Sequence, residues 1–175
     1  MRIAIGGPAG AGTSTTSKML AEKTNLDYIC AGDIFRKKAK EKDLTLAEFG
    51  ELAEENPEID KEIDKEQKRI GKERDDIIIE GRLSGWMVED ADIKIWLKAP
   101  IELRARRISQ REDITQEEAL KNIVSRERSE KQRYESYYDI NIEDLSIYDL
   151  VIETSKWPKE AVVNIAEEAI NSYKP

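Results

Sequence analysis

The chain of 175 residues contains no histidine and a single cysteine, Cys30. The lack of histidine excludes Ser-His-Asp and Cys-His nucleophilic catalysis and the commonest zinc sites. One cysteine cannot form an intramolecular disulfide, which is typical of a protein kept in a reducing compartment. No apolar run approaches the roughly 18 residues that a membrane span requires. We therefore expect a cytoplasmic protein that does not contact membranes.

Basic side chains are fewer than acidic ones. The chain has 29 Lys and Arg against 37 Asp and Glu, which gives a net charge of −8. Because nucleic-acid binding depends on neutralising phosphates with basic side chains, we expect no nucleic-acid partner. The length and the lack of internal repeats predict one compact domain, and we expect a monomer.

Short apolar runs alternate with long helical patterns along the chain. The runs cover residues 3–5, 26–29, 77–79, 93–97 and 150–152. Each run is too short for a helix and is flanked by Gly, Asp or Pro, as buried parallel strands are. Five such strands separated by helices predict an α/β fold with a five-stranded parallel sheet.

Several helix starts are also predicted by short motifs. Thr45 with Glu48 and Thr115 with Glu118 have the spacing of a capping box. Prolines are common in the first turn of a helix, because the missing amide costs no hydrogen bond there. The prolines in such positions are Pro57, Pro100 and Pro158.

Two stretches between the predicted strands are longer than ordinary crossovers. Residues 32–75 and residues 100–148 are expected to form a helical insertion and a lid region over the ligand face of the sheet. The rest of the single domain, residues 1–31, 76–99 and 149–175, then forms the core.

A glycine-rich loop follows the first predicted strand and precedes a helix predicted over residues 15–23. It reads Gly7-Pro8-Ala9-Gly10-Ala11-Gly12-Thr13-Ser14. The amides of such a loop and the helix N-terminus bind phosphate oxygens, and glycine lets the backbone approach them closely. The alternative is an ordinary Gly-rich strand-to-helix turn. The loop favours a three-layer P-loop NTPase-type fold.

The loop departs from the pattern G-x-x-x-x-G-K-[ST] at one position. Ser14 occupies the place of the magnesium-binding hydroxyl, but Thr13 occupies the place of the lysine. Lys18 lies five residues further on, about 140° around the helix, and cannot replace that lysine.

Arginine is concentrated in one part of the chain. Of 12 arginines, seven lie between Arg104 and Arg133. The guanidinium fork matches phosphate oxygens, so this cluster favours a lid that closes over a phosphate site. The alternative is a solvated helix face on which arginines pair with Glu127 and Glu130.

The third predicted strand ends in Glu80-Gly81-Arg82. A carboxylate at the carboxyl end of a parallel strand lies near the phosphate loop, where it could hold Mg2+ through water. Arg82 could bind the phosphate of a second substrate. The alternative is a salt bridge at the end of the strand.

Over nearly its whole length the chain resembles the nucleoside monophosphate kinases, most closely the archaeal-type cytidylate (CMP) kinases. The stretches that resemble this family are residues 31–36 (AGDIFR), 57–64 (PEIDKEID), 80–87 (EGRLSGWM) and 146–150 (SIYDL). The resemblance implies that the γ-phosphoryl group of ATP is transferred to CMP or dCMP with Mg2+. Thr13 is then a feature of the archaeal branch, and Glu130 replaces the aspartate usual in the family.

The resemblance also implies a set of site residues, together with those that the motifs indicate. The ATP phosphates would be bound by Gly7, Pro8, Ala9, Gly10, Ala11, Gly12, Thr13, Ser14 and Thr15. The monophosphate would be bound by Gly32, Asp33, Arg36, Arg82, Arg126, Glu130 and Arg133. The catalytic residues would be Arg82, Arg107, Arg126 and Arg133. Thr154 and Ser155 would touch the adenine of ATP, and Ser14 and Glu80 would hold the metal, the latter through water.

Four points stay open at this stage. We expect that one or more of the lid arginines supplies the charge that Thr13 lacks, and the candidates are Arg104, Arg106, Arg107 and Arg111. A kinase of the same fold could instead act on AMP, UMP or a non-nucleotide alcohol. A third possibility is a regulatory module that binds nucleotide without transferring phosphate. The choice between CMP and dCMP cannot be made from the residues.

Overall fold

The protein, described by a computed structural model for residues 1–174, is built on one parallel sheet. Its strands lie in the order β2-β3-β1-β4-β5. They are β1 (Arg2–Gly6), β2 (Asp27–Cys30), β3 (Ile77–Glu80), β4 (Ile93–Lys98) and β5 (Leu150–Glu153). Every pairing is parallel, with Ile3 of β1 beside Ile78 of β3 and Ile93 of β4. The predicted α/β fold with five parallel strands is confirmed.

Helices cover both faces of this sheet. They are α1 (Thr13–Thr24), α2 (Ala31–Glu41), α3 (Leu46–Glu55), α4 (Glu58–Glu73), α5 (Ser84–Met87), α6 (Ile101–Glu112), α7 (Gln116–Tyr138) and α8 (Lys159–Asn171). A single 3-10 turn, Thr154–Lys156, follows β5. Among residues 1–174 no helix combines the length and the apolar character that crossing a membrane requires.

Side chains alternate between the two faces because successive residues of a strand point in opposite directions. Ile3 and Ile5 of β1 pack in the cluster that includes Leu20 of α1 and Val162 of α8. Ala4 faces the other side, where it packs with Ile70 of α4. The sheet is therefore the middle of three layers, as predicted.

The capping motifs operate as predicted, with small differences in helix bounds. The Thr45 hydroxyl accepts from the Glu48 amide and the Glu48 side chain accepts in return, whereas Thr115 accepts from the Glu118 amide. The prolines immediately precede their helices instead of lying inside the first turn: Pro57, Pro100 and Pro158. The residue immediately before a helix also makes no helical hydrogen bond with its amide, so the missing amide of proline costs no bond there. Helix α1 begins two residues earlier than predicted, at Thr13.

Each of the two long segments contributes a small apolar cluster of its own. Phe49, buried completely, packs with Ala39 and Ile59 where α2, α3 and α4 meet. Ile108 and Ile123 pack together between α6 and α7. The division into a core, a helical insertion and a lid region stays a prediction.

Candidate active site

The glycine-rich loop joins β1 to α1 in a conformation that two glycines make possible. Gly10 and Gly12 have φ angles of 81° and 98°, in the left-handed region that side chains rarely adopt. A Cβ on Gly10 would also lie 2.8 Å from the carbonyl oxygen of Arg104. Gly12 is the residue immediately before α1, so the unpaired amides of the first helical turn lie next to the loop. The loop is thus built to bind an anion.

Glu80, the last residue of β3, is hydrogen-bonded to the first turn of α1. The Ser14 hydroxyl donates to Glu80 Oε1 at 3.1 Å, and the Tyr28 hydroxyl donates to Oε2 at 2.7 Å. Burial first, and then the bond to Glu80, raise the pKa of Tyr28 well above its usual value. Burial and the same carboxylate raise the pKa of Cys30 to about 11, so its thiol stays protonated at neutral pH.

Arg82, two residues beyond β3, is held by an acid and an aromatic ring. Its Nε donates to Glu130 Oε2 at 2.9 Å, and its guanidinium carbon lies 5.2 Å from the centre of the Trp96 ring. The side chain is 14% exposed, and Nη1 has no hydrogen-bond partner among residues 1–174. A buried guanidinium with an unused donor is suited to bind an anionic oxygen.

Glu130 on α7 connects two arginines of the site. Arg126 Nε donates to Glu130 Oε1 at 2.7 Å, while Arg82 bonds the other oxygen. Burial works to raise the pKa of Glu130, but Arg126 and Arg82 outweigh it, and the net effect is to lower that pKa. Glu130 therefore stays ionised and orients both guanidinium groups. The solvated-face alternative predicted an ion pair between Arg126 and Glu130, and this ion pair is present. It lies at the candidate active site.

Arg133, one turn further along α7, lies outside the cleft that contains the loop. Its Nη1 donates to Asp60 Oδ1 of α4 at 3.2 Å, and its guanidinium lies 5.9 Å from the ring centre of Phe35. Both Arg133 and Asp60 are 5% exposed. The structure thus brings Arg82 and Arg126 to the cleft, and Arg133 to a buried seam beside it.

Arg36 approaches from the first turns of α2. Its Nη2 donates to Asp33 Oδ1 at 2.5 Å and lies 4.0 Å from the Cys30 sulfur. The side chain is half-exposed and lines the cleft together with Gly32. Asp33 itself lies outside the lining and contacts it only through its ion pair with Arg36.

Arg107 of α6 connects the loop to the 3-10 turn after β5. Its Nη1 donates to the Gly10 carbonyl and to Thr154 Oγ1, each at 3.1 Å, and Nη2 donates to the Thr154 carbonyl at 3.3 Å. The Thr154 hydroxyl in turn donates to the Ala11 carbonyl at 2.8 Å. Burial, with Arg106 acting in the same direction, lowers the pKa of Arg107.

The other proposed lid arginines differ in position. Arg104 is 6% exposed and bonds the Ala9 carbonyl at 3.1 Å and Glu127 Oε1 at 2.6 Å, so its guanidinium is fully engaged by protein groups. Arg106 is exposed and does not line the cleft, whereas Arg111 does. Of the four arginines proposed to supply the missing charge, Arg107 and Arg111 are the two that line the cleft.

These elements enclose one cleft of about 380 Å³ at the carboxyl edge of the sheet. The predicted residues that line it are Gly7, Ala9, Gly10, Ala11, Gly12, Thr13, Ser14, Thr15, Gly32, Arg36, Glu80, Arg82, Arg107, Arg126 and Thr154. The predicted residues outside the lining are Pro8, Asp33, Glu130, Arg133 and Ser155. Lys18 lies 5.9 Å from the Tyr28 ring, away from the loop, as its spacing predicts.

Several lining residues were not predicted from the sequence. Trp157 is 51% exposed and lines the cleft with Lys159 at the start of α8. Both lie within three residues after the Thr154–Lys156 turn. Extending the predicted adenine-binding segment by three residues would therefore have included them. Gly81 also lines the cleft, and a Cβ there would lie 2.9 Å from Gln67 Oε1 of α4.

Sequence comparison identifies relatives that cover nearly the whole chain. The family model described as "Cytidylate kinase-like family" matches residues 2–156. A cytidylate kinase from Methanocaldococcus jannaschii is 52% identical over 99% of this chain and 99% of its own length. A cytidylate kinase from Halobacterium salinarum is 50% identical, over 99% of this chain and 91% of its own.

Solved structures with a similar fold are more distant in sequence. An uncharacterised protein from Eubacterium ventriosum has a TM-score of 0.73 at 20% identity, covering 98% of this chain and 99% of that one. A shikimate kinase from Bacteroides thetaiotaomicron has a TM-score of 0.63 at 16% identity, covering 98% of each chain. This likeness supports the P-loop kinase fold.

Proposed function

Since this chain belongs to the cytidylate kinase-like family, we propose that it transfers the γ-phosphoryl group of ATP to CMP or dCMP, giving ADP and CDP or dCDP. The proposal is supported by relatives named cytidylate kinase that are about half identical to this chain over nearly all of its length. It makes the protein an ATP-dependent nucleoside monophosphate kinase.

One observation carries the proposal: a single cleft is lined both by the glycine-rich loop and by three arginines from other elements. Loop residues from Gly7 to Thr15 line it together with Arg36, Arg82 and Arg126. A transferase that joins two phosphorylated substrates needs two anion sites that face each other. A regulatory module that binds one nucleotide would need only the first.

The proposed reaction requires these side chains to position the two phosphates and to neutralise their charge. Phosphoryl transfer requires little covalent participation by the protein, so a site without histidine suffices. The loop amides bind the β- and γ-phosphates of ATP. Arg82, with its unused Nη1, and Arg126 bind the phosphate of the acceptor, and Glu130 holds both arginines in place. Arg36 adds a third positive charge from α2.

The hydroxyl of Ser14 and the carboxylate of Glu80 fit a magnesium site. Mg2+ prefers oxygen ligands and is commonly bound by one or two protein groups together with substrate phosphates and water. Among residues 1–174, no group of three or more Cys, Asp and Glu side chains could hold a metal. The proposed site therefore depends on Ser14, on Glu80 through water and on ATP itself. Bound Mg2+ would neutralise phosphate charge.

The donor nucleotide is proposed to extend from the loop to the turn after β5. Thr154 lines the cleft and is tied to the loop through the Ala11 carbonyl, and Ser155 follows it. We assign contact with adenine to this turn. Arg107 lies between the turn and Gly10, where its charge can replace that of the absent lysine. Closure of the lid region would exclude water and limit hydrolysis of ATP.

Base and sugar recognition is assigned to the neighbourhood of Glu130 and Arg133. This assignment is supported by the spacing of Arg126, Glu130 and Arg133, which matches the arginine and acid motif of the resembled kinases. Gly32 and Asp33, at the start of α2, support Arg36 on the acceptor side. A monomeric state, a cytoplasmic location and the absence of nucleic-acid and membrane partners stay predictions.

The experiment that tests the proposal measures initial rates of ADP release in a coupled assay at fixed Mg-ATP. The acceptors are CMP, dCMP, UMP and AMP, with a reaction lacking acceptor as the control. We expect steady turnover with CMP or dCMP and little without an acceptor. Equal ADP release with and without each acceptor would indicate nucleotide binding without transfer. Faster turnover of AMP or UMP would assign the same fold to another acceptor.

A further inference from the structure

Both carboxylate oxygens of Glu80 accept a hydrogen bond from a hydroxyl group. Ser14 donates to Oε1 at 3.1 Å, and Tyr28 donates to Oε2 at 2.7 Å. Glu80 is 7% exposed, so these two hydroxyls decide how its carboxylate is turned. Ser14 and Glu80 line the cleft, whereas Tyr28 does not. Tyr28 therefore contacts Glu80 without contacting the space in which a ligand would lie.

The register of the sheet brings Tyr28 next to Glu80. β2 pairs with β3 in parallel, and this register sets Tyr28 beside Ile78. Tyr28 and Ile78 pack in the same apolar cluster as Leu20 of α1, so both face that helix. Glu80 lies two residues after Ile78 and therefore on the same face of the sheet. The contact between the Tyr28 hydroxyl and Glu80 thus follows from the way the strands pair.

The hydrogen bond from Ser14 to Glu80 orients the serine oxygen that is proposed to bind the metal. A hydroxyl has one hydrogen to donate and two lone pairs with which to accept. Ser14 gives its hydrogen to Glu80, which leaves the lone pairs of Oγ for a cation, and Mg2+ prefers oxygen ligands. Glu80 thus acts on the metal through water and also by orienting Ser14. Both actions depend on the direction in which the Glu80 carboxylate is held.

We propose that Tyr28 is a positioning residue for the magnesium ion that accompanies ATP. Its hydroxyl fixes Glu80 Oε2, so that Oε1 holds the hydroxyl of Ser14 with its oxygen available to the cation. Tyr28 touches neither the metal nor the nucleotide and acts only through Glu80. This inference rests on the proposed function, which assigns Ser14 and Glu80 to the metal.

Removing the Tyr28 hydroxyl leaves a buried carboxylate oxygen without its donor. Such an oxygen is unfavourable, so the Glu80 carboxylate turns toward another donor or toward water. Either movement disturbs the hydrogen bond from Ser14. In Tyr28→Phe the ring is kept and retains its packing in the apolar cluster. The substitution therefore removes one hydrogen bond and leaves the phosphate loop as it is.

Tyr138 provides a matched control away from the cleft. Its hydroxyl donates to Asp64 Oδ2 at 2.6 Å, and Asp64 is 7% exposed, as Glu80 is. Asp64 Oδ1 accepts from Gln67 at 2.9 Å, so each of the two carboxylates has two donors. Tyr138, Asp64 and Gln67 all lie outside the lining of the cleft. Tyr138→Phe therefore makes the same chemical change at a carboxylate that the proposal does not assign to the metal.

The first measurement is the binding of ATP by isothermal titration calorimetry, once with Mg2+ and once with EDTA in its place. The ratio of the two dissociation constants gives the factor by which magnesium strengthens ATP binding. We expect Tyr28→Phe to lower this factor by about three- to tenfold, at or below the lower end of the range for side chains that orient metal ligands. The dissociation constant with EDTA should stay at the wild-type value, and Tyr138→Phe should change neither quantity.

Two results of this measurement overturn the proposal. One is an unchanged factor in Tyr28→Phe. The other is weaker ATP binding by the same ratio with Mg2+ and with EDTA, because a purely structural role of Tyr28 would act in both conditions.

The second measurement titrates Mg2+ in the coupled assay with CMP. The concentration for half-maximal rate should increase by about three- to tenfold in Tyr28→Phe and stay unchanged in Tyr138→Phe. When Glu80→Gln is already present, adding Tyr28→Phe should have less than about a twofold effect, because the tyrosine acts through that carboxylate. Equal effects of Tyr28→Phe with and without Glu80→Gln overturn the proposal.

The results also separate this inference from the proposed function. A magnesium response that changes in Glu80→Gln but not in Tyr28→Phe overturns the inference alone. A wild-type protein whose ATP binding is not strengthened by Mg2+ overturns both the proposed magnesium site and the role of Tyr28. Failure of the wild type to phosphorylate CMP is a different result, which rejects the proposed function and this inference with it.

Discussion

The guanidinium of Arg107 donates a hydrogen bond to the Gly10 carbonyl oxygen over 3.1 Å and thereby joins α6 to the phosphate-binding loop. The same nitrogen donates to Thr154, which is itself bonded to the Ala11 carbonyl. Thr13 leaves this loop without the charge that a lysine supplies in related loops. Arg107 is a cation already anchored to the loop backbone, and the proposal assigns to it the role of that lysine.

We therefore expect Arg107→Ala to lower kcat/KM by about 30- to 1000-fold, mostly in kcat, because a charge that stabilises the transition state is lost. Thr13→Lys should partly rescue this variant and scarcely change the wild type. The measurement is a double-mutant cycle of steady-state rates, with exposed Arg106→Ala as the control. Strict additivity of Thr13→Lys with both Arg107→Ala and Arg111→Ala would show that neither arginine replaces the lysine.

Arg82→Ala should also impair catalysis strongly. It removes a guanidinium that is 14% exposed, bonded to Glu130 and provided with an unused donor. Loss of a charge-assisted contact to a buried phosphate predicts a decrease in kcat/KM of about 30- to 1000-fold. Arg74→Ala, at the residue that follows α4, is the control and should stay close to the wild type. A decrease of less than about threefold for Arg82→Ala would place this arginine outside the phosphate site.

Glu80→Gln should weaken the response of the enzyme to magnesium. The substitution keeps a side chain of the same shape near Ser14 but removes the negative charge that attracts the cation. We expect the Mg2+ concentration for half-maximal rate to increase by about tenfold, in the range known for residues that orient metal ligands. Asp27→Asn, an exposed carboxylate at the opposite end of the sheet, is the control. An unchanged magnesium titration for Glu80→Gln would contradict this role.

The buried carboxylate of Asp64 predicts that stability depends on pH. Burial raises its pKa to about 7, although the Tyr138 hydrogen bond opposes this effect. An aspartate in the unfolded chain has a pKa near 3.9, so the native state binds more protons between these values. Its contribution to the free energy of unfolding is therefore present below about pH 4 and is lost as the pH rises through about 7. The charged groups around it are Asp60, Lys68 and Arg133.

Asp64→Asn removes this titration. We compare the free energies of unfolding of the wild type and the variant. The difference, wild type minus variant, should decrease by about 2–4 kcal/mol between about pH 4.5 and pH 8. Urea unfolding at several pH values measures both free energies. Glu62→Gln is the control, because the hydrogen bond with Lys38 lowers the pKa of Glu62, so its contribution increases only slightly above about pH 4.5 and is nearly constant up to about pH 8. A difference that does not vary with pH would show that Asp64 titrates normally.

The sequence alone predicted the sheet and the phosphate loop because each depends on neighbouring residues. Five apolar runs became five strands whose bounds differ from the prediction by one residue or so at each end. The loop from Gly7 to Ser14 is contiguous, and glycine is required at particular dihedral angles there. Signals of this kind can be read from one short segment.

The arrangement of the acceptor side could not be predicted in the same way. Asp60 and Arg133 are 73 residues apart in the chain and meet only because α4 packs near α7. No periodicity distinguishes Asp60 from Glu62, yet one is buried and the other is exposed. Likewise, Arg104 and Arg106 belong to one arginine cluster, but the first is engaged by Glu127 and the second is exposed. Tertiary packing decides which charges reach the cleft.

The central claim is that the cleft transfers phosphate between two bound nucleotides. In the most direct test, ATP with a radioactive γ-phosphate is incubated with CMP, Mg2+ and the protein. The product that carries the label is then identified. If the claim holds, the label moves to CDP in equal amount to the ADP formed, and inorganic phosphate stays at the level of a reaction without protein. Label released as inorganic phosphate, or ADP formed at the same rate without CMP, would contradict it.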